Sequence, residues 1–328
     1  MTLFLQFITC SCLIFIASHY VSISGKNIST QMKWHQGFVG VLFLALATSM
    51  PEITTSLSTV PAVFGIKNIN LGFGDAIGSI IINLTIIGFL DFYQGKGRIL
   101  AQADKKNTLT ASFTLGMLTV LGFFMFIRTG AFSGMTLFNV GWESIIVIVL
   151  YFCGMKILSR KFQAEMNREG SSFLLGEWLK FIFLLFIIFA LGLWLGMIGK
   201  KIAAATSINQ SFIGAFFLAF STSLPEIAVS FSALRQGYID MAIGNILGSN
   251  FFDVCIVPLM DVFYRKGPIL QYLANINIFV IFIAIIMTAA VIIGLSIRVH
   301  DTKKRLGWDA ILIASLGLLG YYVIYKFG

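Results

Sequence analysis

The stretch Ala45-Leu46-Ala47-Thr48-Ser49-Met50-Pro51-Glu52-Ile53 returns later in the chain as Ala219-Phe220-Ser221-Thr222-Ser223-Leu224-Pro225-Glu226-Ile227. Both copies set a Thr-Ser-Xaa-Pro-Glu phrase inside an apolar run otherwise suited to hydrocarbon. A carboxylate is expensive there, so an ionisable residue within a membrane span marks a functional site by default. Two purely structural acids would leave the duplication of the phrase around them without a reason.

Composition supplies the setting. With 58% hydrophobic residues, 11% charged residues and 33 Phe, the chain has too little polar surface to coat a soluble globule. It reads as an all-α integral membrane protein in contact with the lipid bilayer. About ten apolar runs reach the roughly 20 residues a spanning helix needs. They lie near Leu3 to Val21, Phe38 to Val60, Leu71 to Leu90, Thr108 to Ile127, Gly141 to Leu158, Phe173 to Ile198, Phe212 to Leu234, Met241 to Phe263, Tyr272 to Ile297 and Trp308 to Tyr325. The first run lacks a basic n-region and an Ala-Xaa-Ala-like cleavage site, so it reads as a permanent helix. Cys10, Cys12, Cys153 and Cys255 lie in apolar runs without metal-ligand spacing and read as small core residues. His19, His35 and His300 fall near span edges, where interfacial packing is expected.

The repeat extends well past the Pro-Glu phrases. An offset of 174 aligns Phe38 to Thr59 with Phe212 to Ala233 at 12 of 22 identities. An offset of 170 then pairs Gly74 with Gly244, Gly78 with Gly248, Ser79 with Ser249, Asn83 with Asp253 and Asp91 with Asp261. Five spans separate the copies, and an odd number of crossings inverts the second relative to the first, as in many secondary transporters. The expected organisation is a first half over residues 1–160, a short cytoplasmic link over 161–172 and an inverted second half over 173–328. Loops after odd-numbered spans, together with Lys156 at the end of the fifth, hold 15 Lys and Arg against 7 on the other side. By the positive-inside rule the former face the cytoplasm and both termini face outward. The net charge of +9 is therefore a topology signal, and no nucleic-acid partner is expected.

Proline within a helix removes one hydrogen bond and clashes with the carbonyl one turn back, so Pro51 and Pro225 should bend their helices and free carbonyls near residues 45 to 48 and 219 to 222. Thr48, Ser49 and Glu52 share a helical face, and Thr222, Ser223 and Glu226 repeat it. Gly74, Gly78, Gly244 and Gly248 allow close helix approach, which would bring Ser79, Asn83, Ser249 and Asp253 to the two glutamate helices. These are oxygen ligands, suited to hard cations such as Ca2+ and Na+. Two carboxylates balance one divalent ion, and several monovalent cations or protons must replace it when it leaves. That is the logic of exchange.

In its paired Thr-Ser-Xaa-Pro-Glu phrases and in Gly244-Asn245-Ile246-Leu247-Gly248-Ser249-Asn250, the chain resembles the sodium/calcium exchanger family of the cation/Ca2+ antiporters. The resemblance implies ten helices in two inverted sets of five and alternating access in the cell (inner) membrane, with the first and sixth spans sliding across the rest. It implies Ca2+ held by Glu52 and Glu226 with Thr48 and Thr222. It implies Na+ held by those acids with Ser49, Ser79, Ser223, Ser249 and the carbonyls of Ala45 and Ala219, with Asn83 and Asp253 nearby. No cofactor and no enzymatic activity are implied, and the oligomeric state is left open. K+ co-transport and proton coupling are the alternatives for the coupling ion, the former because an Asp at position 253 also occurs in potassium-dependent relatives.

The first half departs from the family pattern, with Asp75 and Ile80 where Asn is usual. Counting turns puts Asp75 one turn outward of Ser79, so it is expected to line the external approach, and Ile80 is expected to pack against a neighbouring helix. Asp91 and Asp261 read as interfacial salt-bridge or helix-stop residues. Gly72-Phe73-Gly74-Asp75 also spells the Gly-Xaa-Gly-Asp pattern of intramembrane aspartyl proteases, which needs a partner aspartate such as Asp91 or Asp253. A cation channel is a further alternative.

Overall fold

A computed structural model describes residues 2–32, 45–64, 68–95, 98–128, 136–163, 175–206, 208–297 and 307–327. In hydrocarbon every backbone N–H and C=O must be satisfied within its own segment, so long apolar runs become helices. The main ones are α1 (Thr2–Gln31), α2 (Met50–Ser58), α3 (Ile69–Gln94), α4 (Lys106–Ile127), α5 (Trp142–Gln163), α6 (Leu175–Ala205), α7 (Leu224–Arg235), α8 (Ile239–Asp253), α9 (Ile276–Ser296) and α10 (Trp308–Phe327). Among the described residues eight helices are long and apolar enough to cross a membrane, or nine with the bent pair Gln210–Thr222 and Leu224–Arg235 counted as one. The second expected span, Phe38 to Val60, begins outside the described residues and continues as Ala45–Thr48 and α2. Most of the 161–172 link, His35 and His300 also lie outside them.

The two helices that carry the Gly-rich phrases form the interior. In its most apolar window α3 is 89% buried, and the span through α8 to Phe263 is 78% buried, against 28% for α1, α5 and α10. The outer helices therefore wrap α3 and α8, facing lipid with one side. Glycine makes this centre possible. A Cβ on Gly78 would lie 2.5 Å from the Cα of Ala215, and one on Gly214 would lie 2.2 Å from the Leu71 carbonyl. Backbone touches backbone where α3 meets the Ile213–Leu218 segment, which is wound as a π-helix.

The ends of the bundle carry the repeat further than the motif phrases do. Asp91 accepts the backbone N–H of Ile99 at 2.6 Å and of Gly307 at 2.8 Å. Asp261 accepts Ile269 N–H at 2.6 Å and Gly141 N–H at 2.8 Å, and the Ser144 hydroxyl at 2.7 Å. Each half's aspartate thus holds the entry to the other half's last helix, where Gly141-Trp142-Glu143 and Gly307-Trp308-Asp309 match in sequence. This corrects the salt-bridge reading, because both acids anchor backbone amides. The buried ion pair at this level is Arg98 with Asp309 at 3.1 Å, and Arg98 also donates to the Ile297 carbonyl. At the opposite end Arg128 donates to the carbonyls of Leu270 and Leu273.

Two of the four cysteines depart from expectation. Cys10 and Cys255 are buried, but Cys12 and Cys153 are exposed on the outer surface, where a small apolar thiol faces lipid without penalty. Ile80 is fully buried in the main apolar cluster, as its predicted packing role requires.

Candidate functional site

Each glutamate-bearing span breaks at one serine. Ser49 (φ −79°, ψ 5°) and Ser223 (φ −81°, ψ 3°) adopt nearly the same dihedrals, and each is followed by a new helix with proline in its first turn. The second break bends its span by 43°. Without an N–H, Pro51 and Pro225 offer nothing to the carbonyls of Ala47 and Ser221 one turn back. The carbonyls of Ala45 and Ala219, expected to be free, already accept the amides of Ser49 and Ser223 at 3.0 Å. Each also lies 3.3 Å from the hydroxyl of the following threonine, Thr48 or Thr222, so a cation would compete with that hydroxyl for the remaining lone pair.

Glu52, Glu226, Thr48, Thr222, Ser49, Ser223, Ser79, Ser249, Asn83 and Asp253 are all fully buried. The breaks turn them towards one another across the halves. Ser223 Oγ donates to Glu52 Oε1 at 3.3 Å, so a second-half hydroxyl meets the first-half acid. Ser249 Oγ donates to Glu226 Oε1 at 3.0 Å and lies 3.3 Å from Thr48 Oγ1, tying that acid to the first half in turn. Asn83 Nδ2 donates to Asp253 Oδ2 at 3.5 Å.

Equally informative is what finds no protein partner. Among the described residues Glu52 Oε2, Glu226 Oε2, Asp253 Oδ1, Ser49 Oγ, Ser79 Oγ and Asn83 Oδ1 are buried oxygens without a hydrogen-bond partner. Buried polar atoms are nearly always hydrogen-bonded, and oxygens left in this way fit a hard cation. Among the described residues no three His, Cys, Asp or Glu side chains form a chelating group. Hydroxyl, amide and carbonyl oxygens must therefore complete any coordination around the two glutamates.

Asp75 overturns the vestibule reading. It is fully buried, accepts the Ser56 hydroxyl on Oδ2 at 3.0 Å, and accepts Thr222 Oγ1 on Oδ1 at 3.1 Å. Turn counting along α3 has no knowledge of the neighbouring helix, which closes over this position at Gly214, whose added Cβ would sit 3.1 Å from the Asp75 amide. Sequence reading also passed over Ser56 and Ser230 as site residues, and it left out Asn250, whose two amide atoms are buried without a partner among the described residues. The signal was present in the repeat, since Ser56 and Ser230 are themselves an aligned pair. Against the protease reading, Asp75 and Asp91 lie 16 residues apart on one helix, about 24 Å at 1.5 Å per residue, and the two oxygens of Asp75 accept the hydroxyls of Ser56 and Thr222.

The fold and sequence have clear relatives. The chain is 25% identical over 248 residues to an uncharacterized membrane protein of Methanocaldococcus jannaschii, covering 74% of this chain and 75% of that one. It is 25% identical over 242 residues to inner membrane protein YrbG of Escherichia coli (strain K12), covering 70% of each. A structure of the sodium-calcium exchanger NCX_Mj superposes with a TM-score of 0.65 at 22% identity, over 97% of both chains. The sodium/calcium exchanger protein family matches residues 2–159 and 176–327, nearly the whole length. A multi-pass bundle built on two glutamate helices broken at matching serines, with this match across both halves, places the chain in the sodium/calcium exchanger protein family.

Proposed function

We propose that this protein is a secondary active transporter that exchanges Ca2+ for Na+ across a membrane by alternating access. The observation that carries the reading is the crossed pairing of Ser223 with Glu52 and of Thr48 through Ser249 with Glu226, with one oxygen of each glutamate left unpartnered. Ca2+ takes Glu52 and Glu226, whose two charges balance it, together with oxygens of Thr48 and Thr222. Na+ takes overlapping oxygens, from the same acids with Ser49, Ser79, Ser223, Ser249 and the carbonyls of Ala45 and Ala219, while Asn83 and Asp253 lie alongside. One divalent ion and several monovalent ions then exclude each other, because like charges in a low-dielectric site repel strongly. Because Glu52 is held by a hydroxyl of the second half and Glu226 is tied to the first half through Ser249 and Thr48, moving the Glu-bearing spans against α3 and α8 changes which side reaches the ions.

The charge count across loops supports an orientation with both termini outside, and the likeness to inner membrane protein YrbG supports an inner-membrane location. The halves divide near residues 160 and 173. The test is calcium-45 flux in proteoliposomes with Na+, K+ and H+ gradients imposed one at a time. Flux driven by an outward Na+ gradient alone is the expected result. Flux driven only by a proton gradient, or only with K+ present, would replace the coupling ion, and a conductance without counter-ion would remove the exchange reading.

A further inference from the structure

On the lipid-facing side of the Glu226-bearing span lies an apolar groove of about 480 Å³ between α3, α7 and α10. Along α3 its wall runs from Ile82 to Tyr93, about 16 Å at 1.5 Å per residue. This is close to half of a hydrocarbon core roughly 30 Å thick, so the groove is one leaflet deep. It begins next to Asn83 and ends at a polar point. There Arg235 Nε donates to the Tyr93 hydroxyl at 3.0 Å, with the guanidinium 5.8 Å from the Tyr93 ring centroid.

Arg235 is exposed and makes no ion pair among the described residues, and its two Nη groups have no bond to them. A guanidinium fork of this kind matches a phosphate in geometry and charge. The apolar rim is open, with Phe92 67% and Leu318 72% exposed. We propose that the groove holds an acyl chain of an anionic phospholipid whose phosphate sits on Arg235. The loop charges place Arg235 at the cytoplasmic face, where anionic lipids concentrate. The chain would lie on Ile227 and Phe231, one and five residues after Glu226 on the same helix. Lipid occupancy would therefore bear on the movement of that helix, a consequence that rests on the exchange reading, whereas binding itself does not.

Native mass spectrometry of the delipidated full-length protein, titrated in parallel with phosphatidylglycerol and phosphatidylcholine of equal chain length, tests the binding. The expected result is a first adduct favouring phosphatidylglycerol by about fivefold, the factor one basic side chain supplies near an anionic surface. Arg235→Gln should bring the preference close to one while the protein stays folded. Leu318→Trp, which fills the groove and keeps the charge, should lose the adduct for both lipids. Equal adducts in the parent protein, an unchanged preference in Arg235→Gln, or dimer formation without lipid preference would overturn the proposal. A second measurement, flux in vesicles with and without 20% phosphatidylglycerol, should show an activation that Arg235→Gln abolishes. Preserved lipid preference with no Ca2+ flux in either protein would leave the lipid site standing and remove the exchange reading instead.

Discussion

Ser56 with Asp75 in the first half and Ser230 with Asn245 in the second occupy matching positions, yet their polarity is reversed. Asn245 Nδ2 donates to Ser230 Oγ at 3.2 Å, and that hydroxyl donates onward to the Ala242 carbonyl at 3.2 Å. In the first half the Ser56 hydroxyl faces both the Gly72 carbonyl and Asp75 Oδ2 at 3.0 Å, with one proton to share. The remaining oxygens differ too. Asp75 Oδ1 reaches across to Thr222, whereas Asn245 Oδ1 has no partner among the described residues. The inverted scaffold is thus kept while the chemistry on it is not, and the first half's extra carboxylate is spent on a threonine of the second.

The largest effect should fall where the halves agree. Glu52→Gln and Glu226→Gln each remove one of the two charges balancing Ca2+ but keep the shape, so both should abolish Ca2+ exchange in proteoliposomes with protein still inserted. Wild-type-like flux in either variant would break the equivalence of the halves. Next comes the pair at which they differ by charge. Asp253→Asn makes the two positions alike and should alter the Na+ dependence of flux, or remove a K+ requirement, more than it weakens Ca2+ binding. Unchanged Na+ and K+ response curves would make Asp253 a structural partner of Asn83.

The two ends offer a comparison in stability. Arg98 and Asp309 form a buried ion pair, whereas the repeat places Pro268 at the position matching Arg98. Removing one partner strands the other charge, so Arg98→Ala should cost about 3–5 kcal/mol by unfolding measurements in detergent. Lys106→Ala, which removes the partly exposed 3.9 Å pair with Asp104, serves as the control and should cost less than about 1 kcal/mol.

The smallest effect belongs to Asp75→Asn. An amide there can donate to Ser56 as Asn245 does to Ser230, so the fold and maximal flux should persist with a modest loss of apparent Ca2+ affinity. Because Asp75 is buried, that loss should be the same at low and high ionic strength, since buried charges are screened little. A loss that vanishes at high salt would return Asp75 to a solvent-filled approach. The reverse change, Asn245→Asp, sets an acceptor against a hydroxyl already committed to Ala242 and should damage flux more than Asp75→Asn does.

The all-helical membrane architecture, the inverted repeat and the candidate glutamates were legible in the chain because hydropathy and internal periodicity are written residue by residue. Some span boundaries were close, as in Ile69–Gln94 against Leu71 to Leu90 and Lys106–Ile127 against Thr108 to Ile127, whereas α1 runs to Gln31 against an expected Val21 and α6 to Ala205 against Ile198. The place of Asp75, the reciprocal holds of Asp91 on Gly307 and of Asp261 on Gly141, and the outward faces of Cys12 and Cys153 were not legible. Each depends on which helix packs against which face. Sequence determined that two carboxylates must be placed in the membrane and that their surroundings are duplicated, because an acid within an apolar run and a repeated phrase are both visible in the local sequence. Tertiary structure alone decided that Ser223 serves Glu52 and that Thr48 reaches Glu226 through Ser249, because contacts between residues some 170 to 200 positions apart arise only when glycine lets the helices close on one another.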